Sequence, residues 1–235
     1  SVARSPGAIW AFNETGGTTA ADSSGNGRTA TRTSGAVPIN PGKVGNRALS
    51  LDGSTGYVTS SAVTGSTSSF TQSAWFRTTT KRGGAILGFS NAQTGAGTNN
   101  DRVVFMENDG KLVFAMRNST TRPTRFTFIR TANTYRDGTW HQVTATYDGA
   151  TMSLYVDGRI AGSAALTTPV SPGVGYQRVG YTNLANYYLV FGRNFSGTPS
   201  PASSFFSGSV DEVTVHPTAL GAADIASQFA SGLAS

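Results

Sequence analysis

The sequence predicts an all-β domain, two packed antiparallel sheets with one short C-terminal helix. Three observations carry this reading. Many short segments alternate apolar and polar residues, as half-buried antiparallel strands do. Asp-Gly pairs recur between them, and only one stretch has helical spacing.

The strands are expected, in order, at Ala8–Phe12, Ala48–Leu51, Tyr57–Ser60, Phe70–Thr78 and Ala85–Phe89. They continue at Arg102–Glu107, Lys111–Met116, Thr124–Arg130, His141–Tyr147, Thr151–Val156 and Arg159–Ala164. The last are Gln177–Gly180, Tyr188–Gly192 and Ser209–Val215. In Met152, Leu154 and Val156 the apolar set falls on every second position.

Asp-Gly occurs at Asp52, Asp109, Asp137, Asp148 and Asp157. It suits type I′ turns, whose two central residues need positive φ. Met106 and Lys111 flank one pair, Tyr147 and Thr151 another, Val156 and Arg159 a third. These hairpins predict a meander. The helix is expected over Ala222–Ala230, with Ile225 and Phe229 at i, i+4 and Asp224 in its first turn, where the helix dipole favours a carboxylate. Pro217 and Gly232 are its expected boundaries.

Ala20–Pro41 has few large apolar residues and reads as one long loop. Asn91–Asn100 and Phe195–Ser204 read as surface loops between strands. No linker divides the chain, so residues 1–235 form one domain with its core at about 8–233.

Composition excludes several classes. The chain has no cysteine, hence no disulfide, Cys-based zinc site or thiol nucleophile. Its two histidines lack HExxH spacing. No 18-residue apolar run exists, so no membrane-spanning helix is expected. The net charge of +6 is mostly scattered Arg, and no nucleic-acid motif accompanies it, so no specific nucleic acid is expected. The 59 Ser and Thr, the scarcity of Lys and the missing Cys suit an extracellular bacterial module. The chain opens at Ser1 without Met or a signal peptide, as expected of a mature or excised piece of a longer secreted polypeptide.

Five segments then converge. Residues 10–27 read Trp-Ala-Phe-Asn-Glu-Thr-Gly, then Ala-Asp-Ser-Ser-Gly-Asn-Gly. Residues 45–58 read Gly-Asn-Arg-Ala-Leu-Ser-Leu-Asp-Gly, then Gly-Tyr-Val. Residues 70–76 read Phe-Thr-Gln-Ser-Ala-Trp-Phe. Residues 138–158 include Gly-Thr-Trp-His-Gln-Val and Leu-Tyr-Val-Asp-Gly. Residues 208–215 read Gly-Ser-Val-Asp-Glu-Val-Thr-Val. In this order the set resembles the laminin-G-like, concanavalin A-like jelly-roll domains of bacterial extracellular proteins. The resemblance implies a jelly-roll β-sandwich, often with bound calcium. It also implies a carbohydrate-binding or adhesive role beside a secreted enzyme.

Period two groups Asp211 with Val213 and Val215, on the expected core face. An inward carboxylate needs donors or a cation. The loop Asp22-Ser23-Ser24-Gly25-Asn26-Gly27 is rich in oxygens, and calcium takes six to eight of them. A structural Ca2+ held by Asp22, oxygens around Asn26, and Asp211 is therefore expected; the alternative is that Asp22 and Asp211 are hydrogen-bonded loop anchors.

Tyr176, Tyr181, Tyr187 and Tyr188 surround Asn183 and Asn186, with Arg178 and Arg193 flanking. Aromatic rings stack on sugar C–H faces, and planar polar groups meet hydroxyls. The expected glycan site is Tyr176, Arg178, Tyr181, Asn183, Asn186, Tyr187 and Arg193. The alternative packs two or more of these tyrosines inward. A second candidate is the basic stretch from Arg117 to Arg130, with Phe126 and Phe128 on one face, suited to an acidic polysaccharide or equally to an ordinary amphipathic strand.

No catalytic residues are expected. Glu14 and Glu212 could pair as glycosidase carboxylates, but Glu-x-Asp-x-x-Glu and the strand motifs of polysaccharide lyases are absent. His141 reads as a structural histidine, and Trp10, Trp75 and Trp140 as core. The expected function is a non-catalytic, lectin-like module that binds a polysaccharide or cell-surface glycan. The alternatives are a structural or adhesive domain with a protein partner, and a catalytic jelly roll (hydrolase or lyase).

Overall fold

The structure is a computed structural model that describes residues 5–64, 68–118, 126–185 and 201–234. Its strands are β1 (Ala8–Trp10), β2 (Thr19–Ala20), β3 (Ala30–Arg32), β4 (Ala36–Ile39), β5 (Ala48–Asp52) and β6 (Val58–Ser60). Then come β7 (Val63–Thr64), β8 (Phe70–Arg77), β9 (Gly84–Ser90), β10 (Asn100–Met106), β11 (Leu112–Arg117) and β12 (Phe126–Arg130). The last are β13 (His141–Tyr147), β14 (Thr151–Val156), β15 (Arg159–Ala165), β16 (Val174–Val179) and β17 (Ser207–His216), before helix α1 (Ala222–Leu233).

One sheet runs β15-β14-β13-β8-β17-β5-β4, with β1 joined to β17. The other runs β12-β11-β10-β9-β16-β6-β3-β2, with β7 joined to β16. The paired strands are antiparallel. Trp10, Leu49, Phe76, Phe114, Leu154 and Val210 bury their side chains between the sheets. The second sheet is apolar on both faces. Val104, Met106 and Phe114 point into the sandwich. Val103, Phe105, Val113 and Ala115 form a separate cluster with Ala85 and Leu184 on the outside.

The hairpins divide between the sheets. Asp157 (φ 53°) and Gly158 (φ 73°) both adopt positive φ and join Val156 to Arg159, as type I′ requires. The other two turns are one residue longer than the sequence suggests, because Met106 faces Leu112 and Tyr147 faces Met152. In the latter, Asp148 Oδ1 accepts the N–H groups of Ala150 and Thr151 at 2.9 and 2.7 Å.

Three expectations need correction. Ala20–Pro41 is not one loop, since it carries β3, β4 and the end of β2. The buried residues there are small, Ala20, Ala30 and Ala36, so the segment lacks the large apolar residues that mark strands. Trp140 is half-buried rather than core, with the Arg77 guanidinium 4.9 Å over its ring. Gly232 lies inside α1 rather than beyond it.

Asp211 is the fourth correction. Trp75 faces Asp211 and Ser73 faces Thr214, so β17 carries a bulge between them, with Glu212 at φ 43°. The bulge breaks the period of two. Val210 and Val213 point into the core. Asp211 shares the outer face with Trp75, where it is nonetheless fully buried.

Candidate functional site

Of the three residues expected to hold calcium, Asp22 and Asp211 accept backbone N–H groups and Asn26 donates to carbonyls. Asp22 Oδ1 accepts the N–H groups of Ile9 and Ser24, both at 2.9 Å, and Oδ2 accepts that of Arg28 at 2.8 Å. Burial opposes ionisation, but these donors outweigh it and hold the carboxyl below its usual range. Asn26 turns its amide nitrogen to the carbonyls of Pro6 and Gly7, at 3.0 and 3.3 Å. Asp211 Oδ2 accepts the N–H groups of Lys43 and Val44 at 2.7 and 2.9 Å, and Oδ1 that of Glu212. Burial pushes Asp211 up to about 7 despite those donors. Among the described residues, no three His, Asp or Glu side chains converge as metal ligands. Asp22 and Asp211 each accept backbone N–H groups, as loop anchors do.

Tyr176, Arg178, Tyr181 and Asn183 belong to β16 and the segment after it. Gln177 points inward, where Nε2 donates to Gln72 Oε1 at 2.8 Å, so Tyr176 and Arg178 face outward. Arg178 is almost fully buried. Its guanidinium donates to the carbonyls of Ala92 (3.2 Å from Nε) and Gly95 (2.9 Å from Nη2). It lies 4.9 Å from the Tyr57 ring and 5.4 Å from that of Tyr181. Tyr181 is buried and stacks on Phe205 at 4.0 Å. Asn183 Nδ2 donates to Gly97 O at 3.4 Å. Arg178 and Asn183 thus hold the loop at 91–99, and Tyr181 supports them. Asn186, Tyr187 and Arg193 lie outside the described residues.

In the basic stretch, Arg122 and Arg125 likewise lie outside the described residues. Arg130 Nε donates to buried Glu107, so that cation is already paired. Phe128 is 42% exposed on the outer face of the sheet.

A site that the sequence did not reveal lies where the 131–140 segment, the β14–β15 turn and α1 meet. It is a groove of about 600 Å³ lined by Asn133, Tyr135, Asp157, Arg159, Ile160 and Phe229. Ligand clefts span this size range. The segment is fixed from below. Tyr135 N donates to Gly110 O at 2.8 Å, and Thr131 Oγ1 donates to Asn133 O at 2.8 Å. Tyr135 stays half-buried, and burial with the nearby Asp157 charge raises its phenol above the usual range. Ile160 is 56% exposed at the edge. Phe229 enters from α1, stacked on Trp75 at 5.3 Å. The groove therefore combines an aromatic ring, an amide, a carboxylate and a guanidinium. Its residues come from positions 131–135, 156–161 and 229, so no local motif announces it.

Beside the groove, His141 Nδ1 stands 2.8 Å from Asp157 Oδ2, while Nε2 lies 3.1 Å from Thr139 Oγ1 and 3.2 Å from Asp137 Oδ1. The arrangement superficially resembles a hydroxyl–imidazole–carboxylate triad. A general base, however, needs one nitrogen free to accept a proton. Here both nitrogens face carboxylates, and the bond to Asp157 leads the effects that raise His141 above its usual pKa. Thr139 Oγ1 donates to Asp137 Oδ1 at 2.7 Å rather than to the ring. The cluster ties together the turns at Asp137 and Asp157. Glu14 and Glu212 do not pair across a cleft: Glu14 Oε1 accepts Ala21 N at 2.6 Å, and Glu212 lines a cavity under α1 with Trp75 and Gln142. Among the described residues, no helix is long and apolar enough to cross a membrane.

Several solved structures that share this fold are binding domains, among them domains of botulinum neurotoxins. The binding domain of Paraclostridial Mosquitocidal Protein 1 is 15% identical with a TM-score of 0.68, over 97% of this chain and 52% of that one. The receptor binding domain of botulinum neurotoxin D is 11% identical with a TM-score of 0.65, over 97% and 52%. The binding domain of botulinum neurotoxin DC, in complex with rat synaptotagmin II, is 15% identical with a TM-score of 0.60, again over 97% and 52%. The chain thus spans about half the length of each. These identities carry fold alone. No curated protein matches the chain. The family model Laminin_G_3 matches residues 52–226. With two antiparallel sheets and one terminal helix behind that match, the chain belongs to the concanavalin A-like lectin/glucanases superfamily.

Proposed function

We propose that this domain is a non-catalytic, extracellular recognition module that binds a glycan in the groove beside Tyr135. The groove itself carries the reading. It places a half-buried ring next to Asn133, Asp157 and Arg159 in a cleft large enough for one or two sugar units. Rings of this kind stack on sugar C–H faces, and the amide and charged groups meet hydroxyls. The neighbouring domains that share the fold are named as binding or receptor binding domains, which supports recognition over chemistry. The imidazole nearest the groove has both ring nitrogens against carboxylates, which supports an anchor role over that of a base.

A protein partner is the second reading. One structural neighbour is seen with rat synaptotagmin II, and Phe128 and Ile160 offer exposed apolar contact points here. A glycan array followed by calorimetry on Arg159→Ala separates the readings. Glycan binding that this substitution weakens supports the first. Retention of no glycan, with none released from polysaccharides, favours the second. Reducing-sugar release would point to catalysis.

A further inference from the structure

A second cavity lies between the sheets, far from the outer faces discussed above. It measures about 110 Å³. Its lining runs from exposed Arg28 and Pro217 to the buried side chains of Trp10, Gln72, Phe89 and Arg102. That is smaller than the roughly 150 Å³ cavity that accepts benzene, so any occupant has only a few non-hydrogen atoms.

Arg102 makes this cavity unusual. It occupies a bulge in β10, where the register shifts between Asp101 and Val104, at φ 53°. The bulge turns a guanidinium into the sandwich. The residue is 6% exposed, and its group lies 4.5 Å over the Phe70 ring. Its Nε and Nη2 atoms have no hydrogen-bond partner. The neighbouring Asp101 attracts it but forms no ion pair with it, since Asp101 Oδ1 accepts the backbone N–H groups of Arg102 and Arg117 instead. Burial lowers the guanidinium to about 10, so it stays charged at neutral pH. Gln72 and Gln177 are already tied to Arg102 O and to each other. Arg28 adds a second cation, and no Asp or Glu lines the cavity among the described residues.

A buried cation with two free donors is costly unless an anion or hydrogen-bond acceptor meets it. A guanidinium fork matches a carboxylate in two parallel bonds. The rest of the lining includes the rings of Trp10, Phe70 and Phe89. We infer that this cavity is a binding site for a small monocarboxylate, with the carboxylate on Arg102 and a short apolar stem against those rings.

Titration of 15N-labelled protein with propionate tests this, with propionamide and chloride as controls at constant ionic strength. The resonances followed are the Trp10 indole N–H and the Arg102 Nε–H. Propionate is expected to shift both saturably, whereas propionamide and chloride leave them in place. Arg102→Gln is expected to raise the propionate Kd by about tenfold or more. Absent saturation, equal shifts with chloride or propionamide, or unchanged affinity in a folded Arg102→Gln protein would each overturn the inference. The comparison of propionate with propionamide uses only the unaltered protein, so it decides even if the variant does not fold.

Discussion

The Nδ1 atom of His141 stands 2.8 Å from Oδ2 of Asp157, on the type I′ turn that joins β14 to β15. That bond is charge-assisted when the imidazole is protonated. It raises the folded pKa of His141 above the ordinary value near 6.5. The stability it contributes is fully present below pH 6.5 and is lost as pH rises through the higher folded value. His141→Gln is expected to cost about 1–2 kcal/mol at pH 5.5 and clearly less at pH 9. Urea unfolding at both pH values measures the difference. A cost that does not change with pH would contradict the imidazolium reading.

Asp22 and Asp211 organise the chain through backbone N–H groups. Asp211→Ala leaves those of Lys43 and Val44 without their acceptor, at an expected cost of about 2–4 kcal/mol. Chelation with EDTA is expected to leave the Tm unchanged, because neither carboxylate depends on a cation for its partners. A Tm that falls in EDTA and returns with added calcium would restore a metal to the account.

Helix α1 docks on the first sheet through Trp75. A Cβ at Gly232 would stand 2.6 Å from Cζ2 of that ring, which Phe229 and Lys43 already fix in place. Gly232→Ala is therefore expected to destabilise by about 1–3 kcal/mol, although alanine is the better helix former. Thermal unfolding checks this, and an unchanged or higher Tm would show that the helix moves freely over Trp75.

Arg178 holds the carbonyls of Ala92 and Gly95 from a buried position. Arg178→Ala is expected to lower stability by about 2–3 kcal/mol while leaving glycan affinity unchanged. Loss of affinity without loss of Tm would return the ligand to the outer face of the second sheet.

Much of the fold was legible because strand alternation and turn chemistry act locally. Met152, Leu154 and Val156 all face the core as their spacing implies. The Asp157-Gly158 turn follows from its dipeptide alone. Legibility failed where tertiary contacts override local pattern. Ala20, Ala30 and Ala36 are buried in strands too short and too small-chained to recognise. The bulge at Glu212 moves Asp211 across the sheet, and period two has no means of signalling a bulge. The candidate glycan residues in β16 and beyond had the right chemistry, but Arg178 and Tyr181 face a loop and an aromatic ring that lie far off in sequence. The groove beside Tyr135 draws on three distant segments and could be found only once they were brought together.

Calorimetric titration of the glycan selected on an array, into the unaltered domain and into Tyr135→Ala, tests the central claim most directly. The account predicts saturable binding by the first and at least about tenfold weaker binding by the second. Equal affinity in the two proteins, or no glycan bound by either, would contradict it.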